Sequence, residues 1–344
     1  MGKRPLPSTR VYQLPPEKIV APKSQPPPNQ IGTIEFSGKL GKANYWFFDL
    51  VNTTLEMPMT ISRRNFCAAL GTGLAAASAN LFADESGPKV LRVIAYNIYK
   101  CKGWPSDRPL AKRAVAEGQM AKRLAMELAL HYPDLINFSE SPGEEITQKV
   151  ADLLGMNHVR FPSGGNWPGT LLSKFEITES QNAPMNDERP KELFTRHWGR
   201  AKIKLPSGEP LIIHSAHLYP GADPTVRLKE IRAMIDSMRP DIDAGRSMLL
   251  IGDLNHRPDT DEYKLWVDAG YVDTFAKVGV GEGLTMKSDI PQSRIDYAMA
   301  AGPIANRVVE SKPLFEGAFR LNTNDLESFA LSDHLPQLAV FQSH

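Results

Sequence analysis

The chain has 344 residues, 42% of them hydrophobic, with a formal net charge of +1. That length holds one large or two ordinary domains with a sizeable core. Residues 1–86 carry nine Lys or Arg against six Asp or Glu, so of the totals of 40 and 39 the remainder keeps 31 and 33. Such near neutrality disfavours a protein that grips long polyphosphate backbones by bulk charge, while leaving room for a local basic patch. Two cysteines, Cys67 and Cys101, do not make a disulfide framework or a cysteine metal site. No uninterrupted apolar run reaches the roughly 18 residues of a membrane helix, which excludes a multi-span membrane protein.

Along the chain, prolines crowd residues 1–30, among them Pro15, Pro16 and the run Pro26 to Pro28. A segment of that composition cannot offset its ordering entropy by burial, so residues 1–56 are predicted to be a disordered extension. Its short aromatic run, Tyr45 to Phe48, carries no motif. Residues 57–86 differ. Ser62-Arg63-Arg64-Asn65-Phe66 precedes an uncharged stretch from Ala68 to Ala83 that includes Ala77-Ser78-Ala79, and the ensemble resembles a twin-arginine export signal. A buried helix is the plainer alternative, and Gly71 with Gly73 argues against it. Because such signals begin near an N-terminus, the expected start is Met57 or Met59, and the expected destination is the periplasm or the outside of the cell.

Residues 88–344 form the expected folded domain, in which strand-like and helix-like segments alternate. Leu91–Tyr96 reads as a strand. Pro109–His131 places Leu110, Ala114, Ala121, Leu124, Ala125 and Leu128 at helical spacing before Pro133, predicting one helix. A strand at Leu135–Phe138 and a helix at Glu144–Leu154 follow. Gly164–Gly169 reads as a flexible loop carrying Trp167. Further strands are expected at Thr170–Ser173, Arg200–Leu205, Pro210–His217, Met248–Gly252, Arg294–Ala300, Arg307–Ser311 and Leu335–Phe341. Further helices are expected at Pro224–Met238 and Asp259–Ala269. Many strands and fewer helices imply two packed sheets with helices outside, a layered α/β (α+β) arrangement.

Polar residues gather where these apolar strands end. Asn97 ends the first strand, Glu140 follows the second, and His217 ends Leu-Ile-Ile-His-Ser-Ala-His. Asp253 and Asn255 follow Met-Leu-Leu-Ile-Gly, Asp296 lies in Ser-Arg-Ile-Asp-Tyr, and Asp333-His334 precede the last strand. Catalytic groups collect beyond one end of the strands in α/β sheets. Carboxylates and carboxamides suit a hard cation, Mg²⁺ or Mn²⁺, with phosphate and water completing its shell. Two histidines add groups that titrate in a useful range.

Taken in order, Asn97, Ser-Glu140, Ser-Ala-His217-Leu, Gly-Asp253-Leu-Asn255, Arg-Ile-Asp296-Tyr and Ser-Asp333-His334 resemble the motifs of the endonuclease/exonuclease/phosphatase superfamily. Each motif alone is weak; six in order are specific. The resemblance spans residues 90 to 341 and implies a four-layer sandwich of two mixed β-sheets flanked by helices. It also implies roles. Glu140 would be the principal Mg²⁺ ligand, with Asn97 and Asp333 beside it. Asp253 and Asn255 would orient the attacking water and a phosphate oxygen, Asp296 would hold and polarise His334, and His217 would touch the phosphate or protonate the leaving oxygen. The chain departs from the common pattern at Ser139, where Gln usually precedes the Glu, and at Ala216 and Leu254.

Plainer readings exist for each position: turn chemistry for Asp253 and Asn255, packing for His217 and His334, and an ion pair with Arg294 for Asp296. His214 is expected in the core and His256 facing solvent. Arg189, Lys191, Arg196 and Arg200 read as a solvated strand face rather than a phosphate-binding rim. Trp167 is expected either to stack on a base or sugar or to serve as a packing lid. The leading expectation is an exported, monomeric, Mg²⁺-dependent phosphoester hydrolase that recognises the twin-arginine machinery but no stable protein partner. Its substrate would be nucleic acid, an inositol phosphate, a phospholipid head group or a small phosphodiester. The alternative is an inactive binding module of the same fold in the cell envelope.

Overall fold

The computed structural model describes residues 90–182 and 192–342. The extension, the export motif, Arg189 and Lys191 therefore lie outside the described residues. The chain divides into two units, Met1–Ala76 and Ala77–His344, and every described residue belongs to the second. Among the described residues no helix is long and apolar enough to cross a membrane.

Twelve strands form two six-stranded sheets. The first takes β1 (Val90–Asn97), β2 (Leu135–Ser139), β3 (Asn157–Phe161), β4 (Gly169–Ser173), β11 (Val308–Pro313) and β12 (Gln337–Gln342), in the order β11-β12-β1-β2-β4-β3. The second takes β5 (Glu176–Asn182), β6 (Trp198–Lys204), β7 (Pro210–His217), β8 (Met248–Asp253), β9 (Val272–Asp273) and β10 (Asp296–Ala301), in the order β5-β6-β7-β8-β10-β9. Both sheets are mixed: β1 runs parallel to β2 and β7 parallel to β8, while the other pairs are antiparallel. Helices α1 (Pro109–Ala116), α2 (Met120–Ala129) and α3 (Glu144–Leu154) accompany the first sheet. Helices α4 (Thr225–Asp243) and α5 (Asp261–Asp268) accompany the second, and α6 (Thr274–Val278) packs on β9 and β10 of the second and on β11 of the first.

Burial explains why the central strands read as unbroken apolar runs. Val93 and Ala95 of β1 join Leu249 and Ile251 of β8 in the layer between the sheets. Ile94 and Tyr96 turn the other way, onto Leu124 and Leu128 of α2. Met248 and Leu250 turn onto Ile231, Met234 and Met238 of α4. A strand covered on both faces has no polar side to display. The expected four-layer sandwich is thus the observed one.

Strands β3, β5 and β9 and helix α6 have no counterpart among the expected elements, and one expected helix is divided. The apolar spacing from Pro109 to His131 predicts one helix, whereas the chain forms two, interrupted at Gly118 with φ +64°. Leu110, expected on the buried face, is 41% exposed. The left-handed turn at Gly118, open to a residue without Cβ, ends α1 and redirects the chain into α2.

Candidate active site

Strand register assembles the second sheet's contribution. His217 pairs with Asp253 across β7 and β8, and Asp296 pairs with Asp253 across β10 and β8, so three ionisable groups stand in one row. In the first sheet Asn97 and Ser139 form the matching row at the ends of β1 and β2. Gly252 makes the approach possible. Its φ is +146°, and a Cβ there would lie 1.8 Å from the Ala216 carbonyl oxygen.

Asp253 is the hub. Its Oδ2 accepts the Asn97 amide at 3.0 Å and lies 3.5 Å from His217 Nε2 and 3.8 Å from His334 Nε2. Its Oδ1 accepts the Asn255 backbone N–H at 3.1 Å. The Asn255 side chain donates to the Leu218 carbonyl at 2.9 Å, which leaves its own oxygen available. His334 Nδ1 binds Asp296 Oδ2 at 2.8 Å, fixing the ring. Asp296 does not pair with Arg294, whose guanidinium instead binds Asp273 at 2.6 Å.

These groups are buried and shift each other's protonation. Burial, then the neighbouring Asp296, raises the Asp253 carboxyl. Burial opposes charge on His334, but Asp296 first and Asp253 next outweigh it and lift the ring to about 10. For His217 burial, then His197, pushes the ring well down, and its Nδ1 is buried without a hydrogen-bond partner among the described residues. The two histidines are therefore held in opposite states, His334 charged and His217 neutral.

Glu140 and Asp333 sit at the open side, both only partly buried. Burial raises the Glu140 carboxyl, the Asn97 amide and His334 pull it down, and Asp333 pushes it up again. The Glu140 carbonyl accepts Lys100 N–H at 2.9 Å, and Glu140 itself has φ +53°. Asn255 is also left-handed, at φ +51°. Backbone held there by non-glycine residues is a cost that clusters at functional sites. Ser332 Oγ donates to the Asn97 carbonyl at 2.6 Å and to Asp333 Oδ1 at 3.3 Å, tying the last motif to the first. All eight expected site residues thus converge.

Two donor groups can be distinguished there. Asn97, Glu140 and Asp333 each offer a side-chain oxygen, and the charge of Asp333 pushes the Glu140 carboxyl up, which fits a hard divalent cation. Asp253, Asp296 and His334 have ligand atoms all within 4.8 Å of one another. In that trio His334 Nδ1 is already committed to Asp296, the arrangement of an oriented imidazole.

Two neighbours depart from their sequence reading. His256, expected in solvent, is buried with its ring 5.0 Å from that of Tyr297, whose hydroxyl donates to the His256 carbonyl at 3.0 Å. Arg196, expected on a solvated face, instead stacks over Trp167 at 4.6 Å and feels Glu140 and Asp253. Arg200 does lie on the sheet face, paired with Asp241 at 3.1 Å. His214 is in the core as expected, accepting Trp198 Nε1–H at 3.4 Å. Trp167 also carries Lys100 Nζ at 3.9 Å. The sequence reading missed His197, a buried ring bonded to Ser215 Oγ at 2.8 Å behind His217. The signal was its place next to Trp198, one residue before β6.

The fold is a two-sheet α/β sandwich with carboxylates, amides and histidines gathered at its strand ends. Residues 94–334 match the Endonuclease/Exonuclease/phosphatase family, and the chain belongs to it. Similar solved structures include an endonuclease/exonuclease/phosphatase family protein from Bacteroides thetaiotaomicron, with TM-score 0.57 and 18% identity over 74% of this chain and 98% of that one. A mannosyl-6-phosphatase from the same species has TM-score 0.57 and 16% identity, covering 72% and 98%. An AP endonuclease from Archaeoglobus fulgidus has TM-score 0.53 and 18% identity, covering 74% and 100%. At such identities the likeness is one of fold. A search of the curated proteins found no match.

Proposed function

We propose that this chain is a Mg²⁺-dependent phosphoester hydrolase, with Mn²⁺ able to substitute. The observation that carries this is Asp253 Oδ2, on which Asn97, His217 and His334 converge within 3.8 Å while Oδ1 is fixed by Asn255. A raised carboxyl in that position suits a base that takes a proton from water near neutral pH. The charged His334 ring, oriented by Asp296, donates to a phosphoryl oxygen where negative charge builds. Neutral His217 donates its Nε2–H to the phosphate or the leaving oxygen. Asn255 Oδ1 accepts from the incoming water. Glu140, Asn97 and Asp333 would hold Mg²⁺, which when bound supplies positive charge for the phosphoryl and leaving oxygens.

The test is a panel of bis(p-nitrophenyl) phosphate, p-nitrophenyl phosphate, DNA, inositol phosphates and sphingomyelin, each with Mg²⁺ and with chelator. Turnover of at least one substrate that stops in chelator is expected. Turnover undiminished by chelator would overturn the metal dependence, and none on any substrate would overturn the hydrolase reading and leave an inactive binding module. Export by the twin-arginine route is proposed on Ser62–Phe66 alone. Replacing Arg63 and Arg64 by Lys keeps the charge but removes the guanidinium forks, and should leave the precursor uncut in the cytoplasm. Normal export of that variant would refute it.

A further inference from the structure

Trp167 lies beside the site with two cations on its ring, Lys100 at 3.9 Å and Arg196 at 4.6 Å. An indole so occupied is not free to stack on a base or sugar, so its work is to hold the cations. Neither cation arrives by accident. Lys100 follows Asn97 in a left-handed turn, and its N–H is bonded to the Glu140 carbonyl at 2.9 Å. Arg196 lies just before β6, and its Nε is buried without a hydrogen-bond partner among the described residues. Its neighbour on the same strand edge makes the contrast. Arg200 is matched by Asp241 at 3.1 Å and Glu179 at 3.8 Å, as a face residue should be. Arg196 instead feels Glu140 and Asp253, the open and the closed halves of the site.

We propose that Arg196, held on Trp167 beside Lys100, is a specificity-determining anion subsite that selects a terminal phosphate, a phosphomonoester dianion, over a phosphodiester. The inference rests on the hydrolase reading above. Charge and shape both point this way. A terminal phosphate offers three non-bridging oxygens and a second negative charge. A guanidinium fork can take two of those oxygens in parallel, and the third stays on the Glu140 side. A diester has only two such oxygens and one charge, so the fork would compete for the oxygens the Glu140 side requires.

The experiment compares kcat/KM for p-nitrophenyl phosphate and bis(p-nitrophenyl) phosphate in the full chain, in Arg196→Gln, Arg196→Lys, Trp167→Phe and Trp167→Ala. Loss of one charged hydrogen-bonding contact predicts that the monoester-to-diester ratio falls about tenfold to a hundredfold in Arg196→Gln. Arg196→Lys should fall less. Trp167→Phe keeps an aromatic face and should hold the ratio, whereas Trp167→Ala releases the guanidinium and should lower it. Inorganic phosphate provides a readout that needs no turnover: it should change tryptophan emission in the parent, with no change in Trp167→Phe and weaker binding in Arg196→Gln. An equal loss on both esters, or phosphate binding indifferent to Arg196, would overturn the subsite while leaving the hydrolase intact. Arg196-dependent phosphate binding in a protein that hydrolyses no ester would support the subsite and refute the hydrolase.

Discussion

The two halves of the site are built by opposite means. Around Asp253, strand register and short contacts bind the groups together: His217, Asp253 and Asp296 stand in a buried row, and Asn97, Asn255 and His334 join it. Around Glu140, a partly exposed carboxylate stands on a strained backbone turn, raised by burial and then by the charge of partly exposed Asp333. The closed half is already organised for proton and charge management. The open half has an electrostatic deficit that a divalent cation would relieve.

Breaking the closed half should have the largest effect. Asp253→Asn keeps the shape but removes the base, and kcat should fall toward the upper end of the roughly 10² to 10⁴ range of acid–base help. Wild-type turnover in that variant would remove Asp253 from the chemistry. Glu140→Gln attacks the open half. Activity and Mg²⁺ affinity by calorimetry should both collapse, yet the urea midpoint in chelator should hold or rise, because a desolvated carboxylate beside Asp333 has gone. A lower midpoint would show that Glu140 is a structural residue.

The two histidines sharpen the comparison at smaller scale. His217→Ala and His334→Ala should each lose at least about a hundredfold in kcat. Only His334→Ala should also destabilise strongly, by about 3 to 5 kcal/mol, since it leaves buried Asp296 without its partner. Equal stability of the two variants would contradict the asymmetry.

The smallest effect concerns buried rings outside the chemistry. Burial lowers His197 and His214 to about 3 and His256 to about 4. Their folded values lie below the unfolded value near 6.5, so the unfolded chain binds protons the native state refuses. Stability is then fully present above about pH 6.5 and is lost as pH falls from there toward 3 or 4. At pH 5 each ring costs about 2 kcal/mol. Urea unfolding at pH 7.5 and 5 measures this, and His214→Gln should lessen the loss of stability at pH 5 by about 2 kcal/mol. A pH-independent midpoint would show that the rings are protonated in the fold.

Much of this was legible in the sequence for a simple reason. The central strands are covered on both faces, so they read as apolar runs, and the polar residue that ends each run is a site residue: Asn97, Glu140, His217, Asp253. What was not legible depends on partners distant in the chain. The edge strands Asn157–Phe161, largely half-buried, and Glu176–Asn182, largely exposed, are mostly polar and show no clean alternation. His256 looks like a solvent residue until Tyr263 and Tyr297 close over it. Arg196 looks like its neighbour Arg200 until Trp167, 29 residues earlier, is placed beneath it.

The first sheet joins the two ends of the folded region: β12 pairs with β1 from Val90↔Gln342 to Ala95↔Gln337, and Ser332 just before it grips the Asn97 carbonyl. During synthesis, Asn97 and Glu140 emerge early, followed by the row of His217, Asp253 and Asp296. Asp333 and His334 come last, and they are seated only when β12 closes on β1. A growing chain therefore carries most of the parts but no assembled centre, and whatever chemistry the site performs is withheld from the cell until the final strand has docked.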